Sequence, residues 1–239
     1  MRLSGVDWCN YVFNFFAGCI HDCKYCYAKD MNKIVGWTES WVKPKLLKNN
    51  EKRFRELLKQ PKGKVFFEDI GDAYQNVDWI LRDTRFWLEK LLESKHEILI
   101  LTKSHLVERD YNLISNYGNV QVGFTIVSLT KNPYEPYAPS PELRIKALKE
   151  AKNRGIKTFV SIEPWLKNYT NPINIITSLM EIVDWWIIGS HNLKLKPLHP
   201  EYYKKELPKL VEFMDKHGLN YFIKKELANI LQEKLTEWV

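Results

Sequence analysis

"PSPELRIKALKEAKNRGIKTFVSIEPW", residues 139–165, passes from a helix to a strand within one short stretch. Ser140 can cap the helix, Pro141 fits its first turn, and Glu142 suits the positive end of the helix dipole. Leu143, Ala147, Leu148 and Ala151 share one face, and Gly155 stops the helix. Lys157–Ile162 follows as an apolar run, and near-continuous hydrophobicity of this kind suits a strand buried on both faces of a parallel sheet.

The alternation recurs along the chain. Strand-like runs stand at Tyr11–Phe16, Lys64–Ile70, Glu97–Thr102, Val120–Val127 and Asp184–Ile188, with a weaker seventh at Asn220–Ile223. "NVDWILRDTRFWLEKLLES" (76–94) and "PEYYKKELPKLVEFMDKHG" (200–218) read as amphipathic helices, and Pro208 is expected to kink or split the second. Strand, helix and strand repeated in this way predict an α/β fold with a parallel sheet, either open or closed toward a barrel. No composition shift or linker interrupts residues 1–239, so a single domain is expected.

With 45% hydrophobic and 27% charged residues, the 239-residue chain has the composition of a folded globular protein. No apolar run approaches the ~18 residues of a membrane span. "FFAGC" resembles a lipoprotein cleavage site, but Asp7, Cys9, Asn10 and Asn14 interrupt any apolar signal core. A cytoplasmic monomer or weak dimer is therefore expected. The net charge of +7, mostly from lysine, leaves nucleic acid as a candidate partner. A Lys- and Glu-rich surface is also typical of thermophilic proteins.

"GCIHDCKYCYAKD", residues 18–30, holds three of the four cysteines, spaced Cys19-x3-Cys23-x2-Cys26. So few and so local a set suits metal binding better than a disulfide framework. Three thiolates on one loop can each take an iron of a [4Fe–4S] cube, leaving the fourth iron open. Zinc is the competitor, in a binding module without radical chemistry. His21 is flanked too tightly by Cys19 and Cys23 to join their tetrahedron easily. Cys9 precedes the first strand, which would carry it ~20 Å away along an extended chain. It reads as a small buried hydrophobe at the N-terminal rim, or else as a hydrogen donor presented to substrate.

The Cys-x3-Cys-x-aromatic-Cys pattern, with Tyr25 before the last cysteine, resembles the signature of radical S-adenosylmethionine (SAM) enzymes. The resemblance implies a partial (β/α)6-type TIM barrel with a short seventh strand and a C-terminal helix, its cysteine loop following the first strand. It implies a [4Fe–4S] cluster on Cys19, Cys23 and Cys26, with SAM on the open iron. An electron from a ferredoxin- or flavodoxin-type reductant would cleave SAM to methionine and a 5′-deoxyadenosyl radical, which abstracts hydrogen from substrate. By the same resemblance Gly71 and Asp72, in "FFEDIGDAY", face the SAM amino group, in place of the usual Gly-Gly-Glu. Lys103 in "LTKS" reaches SAM, Thr125 or Ser128 in "FTIVS" meets its ribose, and Arg144 pairs with its carboxylate. Glu163, Trp165 and Ser190 close later strands and face adenine or substrate. The whole pattern looks most like phage- and prokaryote-encoded radical-SAM-like proteins of unassigned activity, distantly related to spore photoproduct lyase. A nucleic acid or nucleotide is the substrate this favours. No cysteine follows Cys26 to stand where the lyase has its hydrogen donor.

Overall fold

Each apolar run pairs with the next run of the chain. The computed structural model describes residues 5–193 and 196–236. Its main sheet contains β1 (Tyr11–Phe13), β2 (Lys64–Phe67), β3 (Glu97–Thr102), β4 (Val120–Thr125), β5 (Lys157–Trp165), β6 (Trp185–Ser190) and β7 (Tyr221–Ile223). The seven strands lie side by side in chain order. All six pairings are parallel. The intervening helices are α1 (Tyr27–Val35), α2 (Asn50–Lys59), α3 (Asp78–Leu92), α4 (Tyr111–Ile114), α5 (Pro141–Asn153), α6 (Pro172–Leu179) and α7 (Pro200–Lys216), with α8 (Lys225–Thr236) following β7. The sheet curls into a partial TIM barrel, and parallel strands of this kind carry their functional loops at one rim.

The two faces of the sheet are both apolar but differ in partners. Phe67, Ile100, Phe124, Val160 and Ile188 belong to the large core shared with the helices. The alternate residues Phe66, Leu99, Phe159 and Ile187 line the inside, where Trp8 joins them. The Trp8 ring lies 4.6 Å from that of Phe66 and 6.2 Å from that of Phe159. The segment before β1 therefore fills the barrel interior, and Asp7 Oδ2 accepts the Lys225 N–H at 2.7 Å.

Several boundaries differ from the sequence expectation. The first run leaves the sheet at Phe13; Phe16 and Ala17 instead pair antiparallel with Leu46 and Lys45. β2 likewise stops before Glu68, whose φ is +70°. The buried Glu68 carboxylate accepts the Phe15 and Phe16 N–H groups at 3.0 and 3.4 Å, standing in for ladder bonds. β5 runs on past Ile162 to Trp165 through a register shift. Pro208 does not split α7, which is continuous because Tyr203, Leu207, Leu210 and Met214 bury one stripe on both sides of the proline. Ser140 occupies the N-cap of α5, but its hydroxyl makes no capping bond.

Candidate active site

The C-terminal ends of the strands gather the polar residues. Gly18, at φ +107°, turns the chain out of the sheet and bridges Gly71. A Cβ on Gly71 would stand 2.5 Å from the Phe16 ring, so the close approach requires glycine. The cysteine loop begins there. Its backbone is held by Cys19 N–H on the Trp41 carbonyl at 2.8 Å and Lys24 N–H on the Tyr134 carbonyl at 2.9 Å. Gln75 clamps it a third way, accepting the Ile20 N–H at 2.8 Å and donating to the Gly18 carbonyl at 3.0 Å.

Cys23 is buried, Cys19 and Cys26 are half-buried, and none of them is in a disulfide. Burial pushes all three thiols up from their ordinary values, that of Cys23 to about 11. A cationic centre among them would favour the thiolate forms that ligate metal. Among the described residues no three His, Cys, Asp or Glu side chains converge as the ligands of a single metal ion do. A cube asks instead for one thiolate on each of three irons, which thiols spread along one loop can supply. The donor set therefore fits a cluster.

Asp72 is the hub of the neighbouring strand ends. One of its oxygens accepts from the Tyr74 N–H at 3.0 Å and the Thr102 hydroxyl at 2.6 Å. The other accepts the Lys103 N–H at 2.8 Å and lies 3.4 Å from His21 Nδ1. Burial opposes its charge, but His21 and these donors outweigh that, and the carboxyl titrates well below the usual range. The side chain is satisfied within the protein, and the residue ties together the ends of β1, β2 and β3.

A second cluster packs against Tyr25. Its hydroxyl donates to Glu135, whose other oxygen lies 2.7 Å from Arg144 Nη2. The remaining guanidinium donors of Arg144 bond the Pro139 carbonyl at 2.9 Å and the Thr125 carbonyl at 3.0 Å. Arg144 is 1% exposed, and its carboxylate partner comes from the protein itself. Burial raises the Glu135 carboxyl, yet Arg144 and then Lys103 more than offset this and hold it below its ordinary value. The Lys103 ammonium stands 5.5 Å from the Tyr25 ring centroid. Burial works against its charge, but Cys23 and Glu135 nearby raise its pKa.

Thr125 ends β4 on the inner side, opposite Phe124, which packs outward. Ser128 lies beyond the strand and accepts the Thr130 N–H. Beside Thr125 in register is Ser161, buried, with a hydroxyl that makes no hydrogen bond among the described residues. Glu163 faces the Lys224 ammonium at 2.5 Å. Gly189 leaves the room for this pair, because a Cβ there would come within 2.8 Å of the Glu163 carboxyl carbon. Ser190 donates to Asn192, and its N–H bonds Glu226 at 3.4 Å. Cys9 lies at the other rim, half-buried rather than fully buried, in the lining of a cavity of about 410 Å³ with Lys64, Trp185 and Tyr221.

The sequence motifs do not single out Gln75, Glu135, Ser161 or Lys224, although Ser161 and Lys224 stand inside "SIEPW" and "YFIKK". Glu135 sits in a loop without periodicity, and Ser161 reads as an ordinary strand residue. Lys224, in "YFIKK", offered only its place after the last strand.

A parallel partial barrel with a three-cysteine loop after its first strand defines the class of protein. A family model of the radical SAM superfamily matches residues 13–172, and the chain belongs to that superfamily. It is accordingly an enzyme, which replaces the reading of a metal-binding module without radical chemistry. An uncharacterized protein of Methanocaldococcus jannaschii is 32% identical over 235 residues, covering 94% of this chain and 86% of that protein. One from Acidianus two-tailed virus is 32% identical over 170 residues, covering 64% of this chain and 55% of its own. Among solved structures, spore photoproduct lyase complexed with dinucleoside spore photoproduct aligns over 93% of this chain and 78% of its own, with a TM-score of 0.68 at 14% identity. Streptococcus suis SuiB bound to S-adenosylmethionine aligns over 93% and 48%, with a TM-score of 0.61 at 14% identity. No helix among the described residues is long and apolar enough to cross a membrane.

Proposed function

We propose that the protein binds one [4Fe–4S] cluster through Cys19, Cys23 and Cys26 and uses it with SAM to abstract hydrogen from a nucleic acid or nucleotide. The observation that carries this is the three-cysteine loop at the functional rim, whose Tyr25 meets Lys103 and the Glu135–Arg144 pair. When bound, the cluster would supply the electron that cleaves SAM to methionine and the 5′-deoxyadenosyl radical. The chain's own residues do the rest. Asp72 and Gln75 fix the loop and the Gly71 turn, so the backbone carbonyls there face the SAM amino group in a set geometry. Lys103 offers the cation for the SAM carboxylate. Arg144 acts through Glu135 and the Thr125 carbonyl, holding the wall against which SAM lies. Thr125 and the unpartnered Ser161 hydroxyl offer the ribose contacts, in preference to Ser128. Glu163, paired with Lys224, and Ser190 close the wall on the adenine or substrate side.

The rim loops support a nucleobase. Tyr134 meets the Tyr169 ring edge-on at 5.1 Å and the His191 ring at 6.2 Å, and bases stack on such aromatic surfaces. The lyase that shares this fold was solved with a dinucleoside. The test is hydrogen–deuterium transfer. Reduced, anaerobically reconstituted protein is incubated with SAM and deuterated nucleic acid, peptide or metabolite pools, and label is sought in 5′-deoxyadenosine. Transfer from the nucleic-acid pool is expected; transfer only from another pool would overturn the substrate assignment. Reconstitution should give about four irons per chain, lost in Cys19→Ala, Cys23→Ala and Cys26→Ala and kept in Cys9→Ala. Iron retained without the three cysteines would sink the cluster assignment.

A further inference from the structure

Helix α1 has an apolar stripe on its open side. Tyr27, Met31 and Ile34 recur at i, i+4 and i+7, the spacing of one helix face, with Val35 beside them. Such a stripe normally packs inward, yet Ala28 is the buried residue of α1, while Ile34 is 80% and Val35 50% exposed. Val42 and Leu46, on the segment returning from α1, are exposed as well. Half of the exposed large hydrophobic residues among those described thus fall between residues 27 and 46. Scattered apolar residues are ordinary on a surface, but a concentration of this kind marks an interaction site.

The rim of this patch is basic. Of the lysines between residues 24 and 48, Lys29, Lys33 and Lys45 pair with Asp22, Asp30 and Glu39, while Lys24, Lys43 and Lys48 have no ion-pair partner among the described residues and leave the segment net positive. An apolar centre with a basic border suits a small acidic partner, which the charges would also steer. The stripe starts at Tyr27, next to Cys26, and the Tyr27 hydroxyl anchors it by donating to the Asp69 carbonyl at 2.9 Å. Reductive cleavage of SAM consumes an electron from outside the chain. The donor is oxidised by one electron, and SAM gains it as its sulfonium C–S bond breaks.

We propose that α1 and residues 42–46 form the docking face for an acidic electron-transfer protein of the flavodoxin type, delivering its electron beside Cys26. This rests on the cluster assignment above. The test uses a flavodoxin as probe, measuring its binding at low and high salt and the rate at which the reduced form is oxidised. Ile34→Asp, and separately the pair Lys43→Glu and Lys48→Glu, should each weaken binding about tenfold or more and slow flavodoxin oxidation, while dithionite-driven formation of 5′-deoxyadenosine is unchanged. Binding to the native protein should weaken with salt. Unchanged flavodoxin binding in both variants would overturn the proposal. So would a self-association lost in Ile34→Asp, or oligonucleotide binding lost there, with flavodoxin binding intact; these would assign the face to a second copy or to nucleic acid. Binding is read without turnover, so native protein that binds flavodoxin through α1 yet forms no 5′-deoxyadenosine with dithionite would count against the cluster assignment and leave the docking face standing.

Discussion

Gly123 has no side chain because Phe159 occupies the space. A Cβ there would lie 2.4 Å from the Phe159 ring, which stacks on Trp185 at a centroid distance of 4.8 Å and touches Trp8. Gly123→Ala should therefore destabilise by about 1–3 kcal/mol through overpacking. Adding Phe159→Leu should recover part of that loss, a coupling that urea denaturation of both single variants and the double variant would measure. Arg144 and Glu135 pose the opposite problem. Each is almost fully buried, so removing one leaves a charge without its partner. Arg144→Met alone should cost about 3–5 kcal/mol, and Arg144→Met with Glu135→Gln distinctly less. With Glu135→Gln measured as well, losses that simply add would show that the pair is not coupled. The resemblance of "ELRIKALKEAKNRGI" to a helix of radical SAM enzymes singled out Arg144 and paired it with the SAM carboxylate. Glu135, nine residues earlier in an irregular loop, gave no sign that the two would meet.

At the scale of elements, the cysteine loop is positioned by groups outside it. Gln75 bonds both the donor at Ile20 and the acceptor at Gly18, so Gln75→Ala should loosen the loop while sparing the sheet. Reconstituted Gln75→Ala is expected to surrender iron to a chelator about tenfold faster or more, the scale on which losing a group that orients a metal ligand weakens metal sites, with an unaltered far-ultraviolet spectrum. Equal rates would deny the clamp its role. Another tie joins α5 to β5 and β6. Asp184 meets Lys152 at 2.5 Å and accepts the Thr158 N–H at 2.7 Å. Burial raises this carboxyl, but Lys152 and Thr158 outweigh it and leave it below its ordinary value. A depressed carboxyl contributes stability above its unfolded pKa and loses it as pH falls through the folded one. Asp184→Asn should therefore be less stable than the native protein near neutrality, and the gap should close as pH drops below about 4, read from urea midpoints. The elements themselves were legible because a parallel sheet demands long apolar runs and a helix its own period. Their ends were not. β1 and β2 end where the buried Glu68 carboxylate replaces ladder bonds, a long-range event that no local pattern encodes.

Across the whole molecule, one core cluster extends from Tyr11 through every strand of the sheet to Ile230 in α8. A parallel barrel was readable from the repeated alternation, but its filling was not. "VDWCN" has no period, and only the curl of the sheet gives Trp8 an interior to enter, between Phe66 and Phe159. This segment also joins the ends of the fold, since Asp7 caps the N–H of Lys225 across 218 residues of chain. If sheet, helices and plug form one domain, no part can melt alone. Calorimetry should then show a single transition whose calorimetric and van't Hoff enthalpies agree. Trp8→Ala, which empties part of the barrel interior, should cost about 3–5 kcal/mol and move the entire transition down in temperature. A local plug would behave otherwise: its loss would leave the main transition in place and add a separate low-temperature step. That second pattern would divide residues 1–239 into independent units, because a lumen that opens without disturbing the outer core cannot be part of the same cooperative structure.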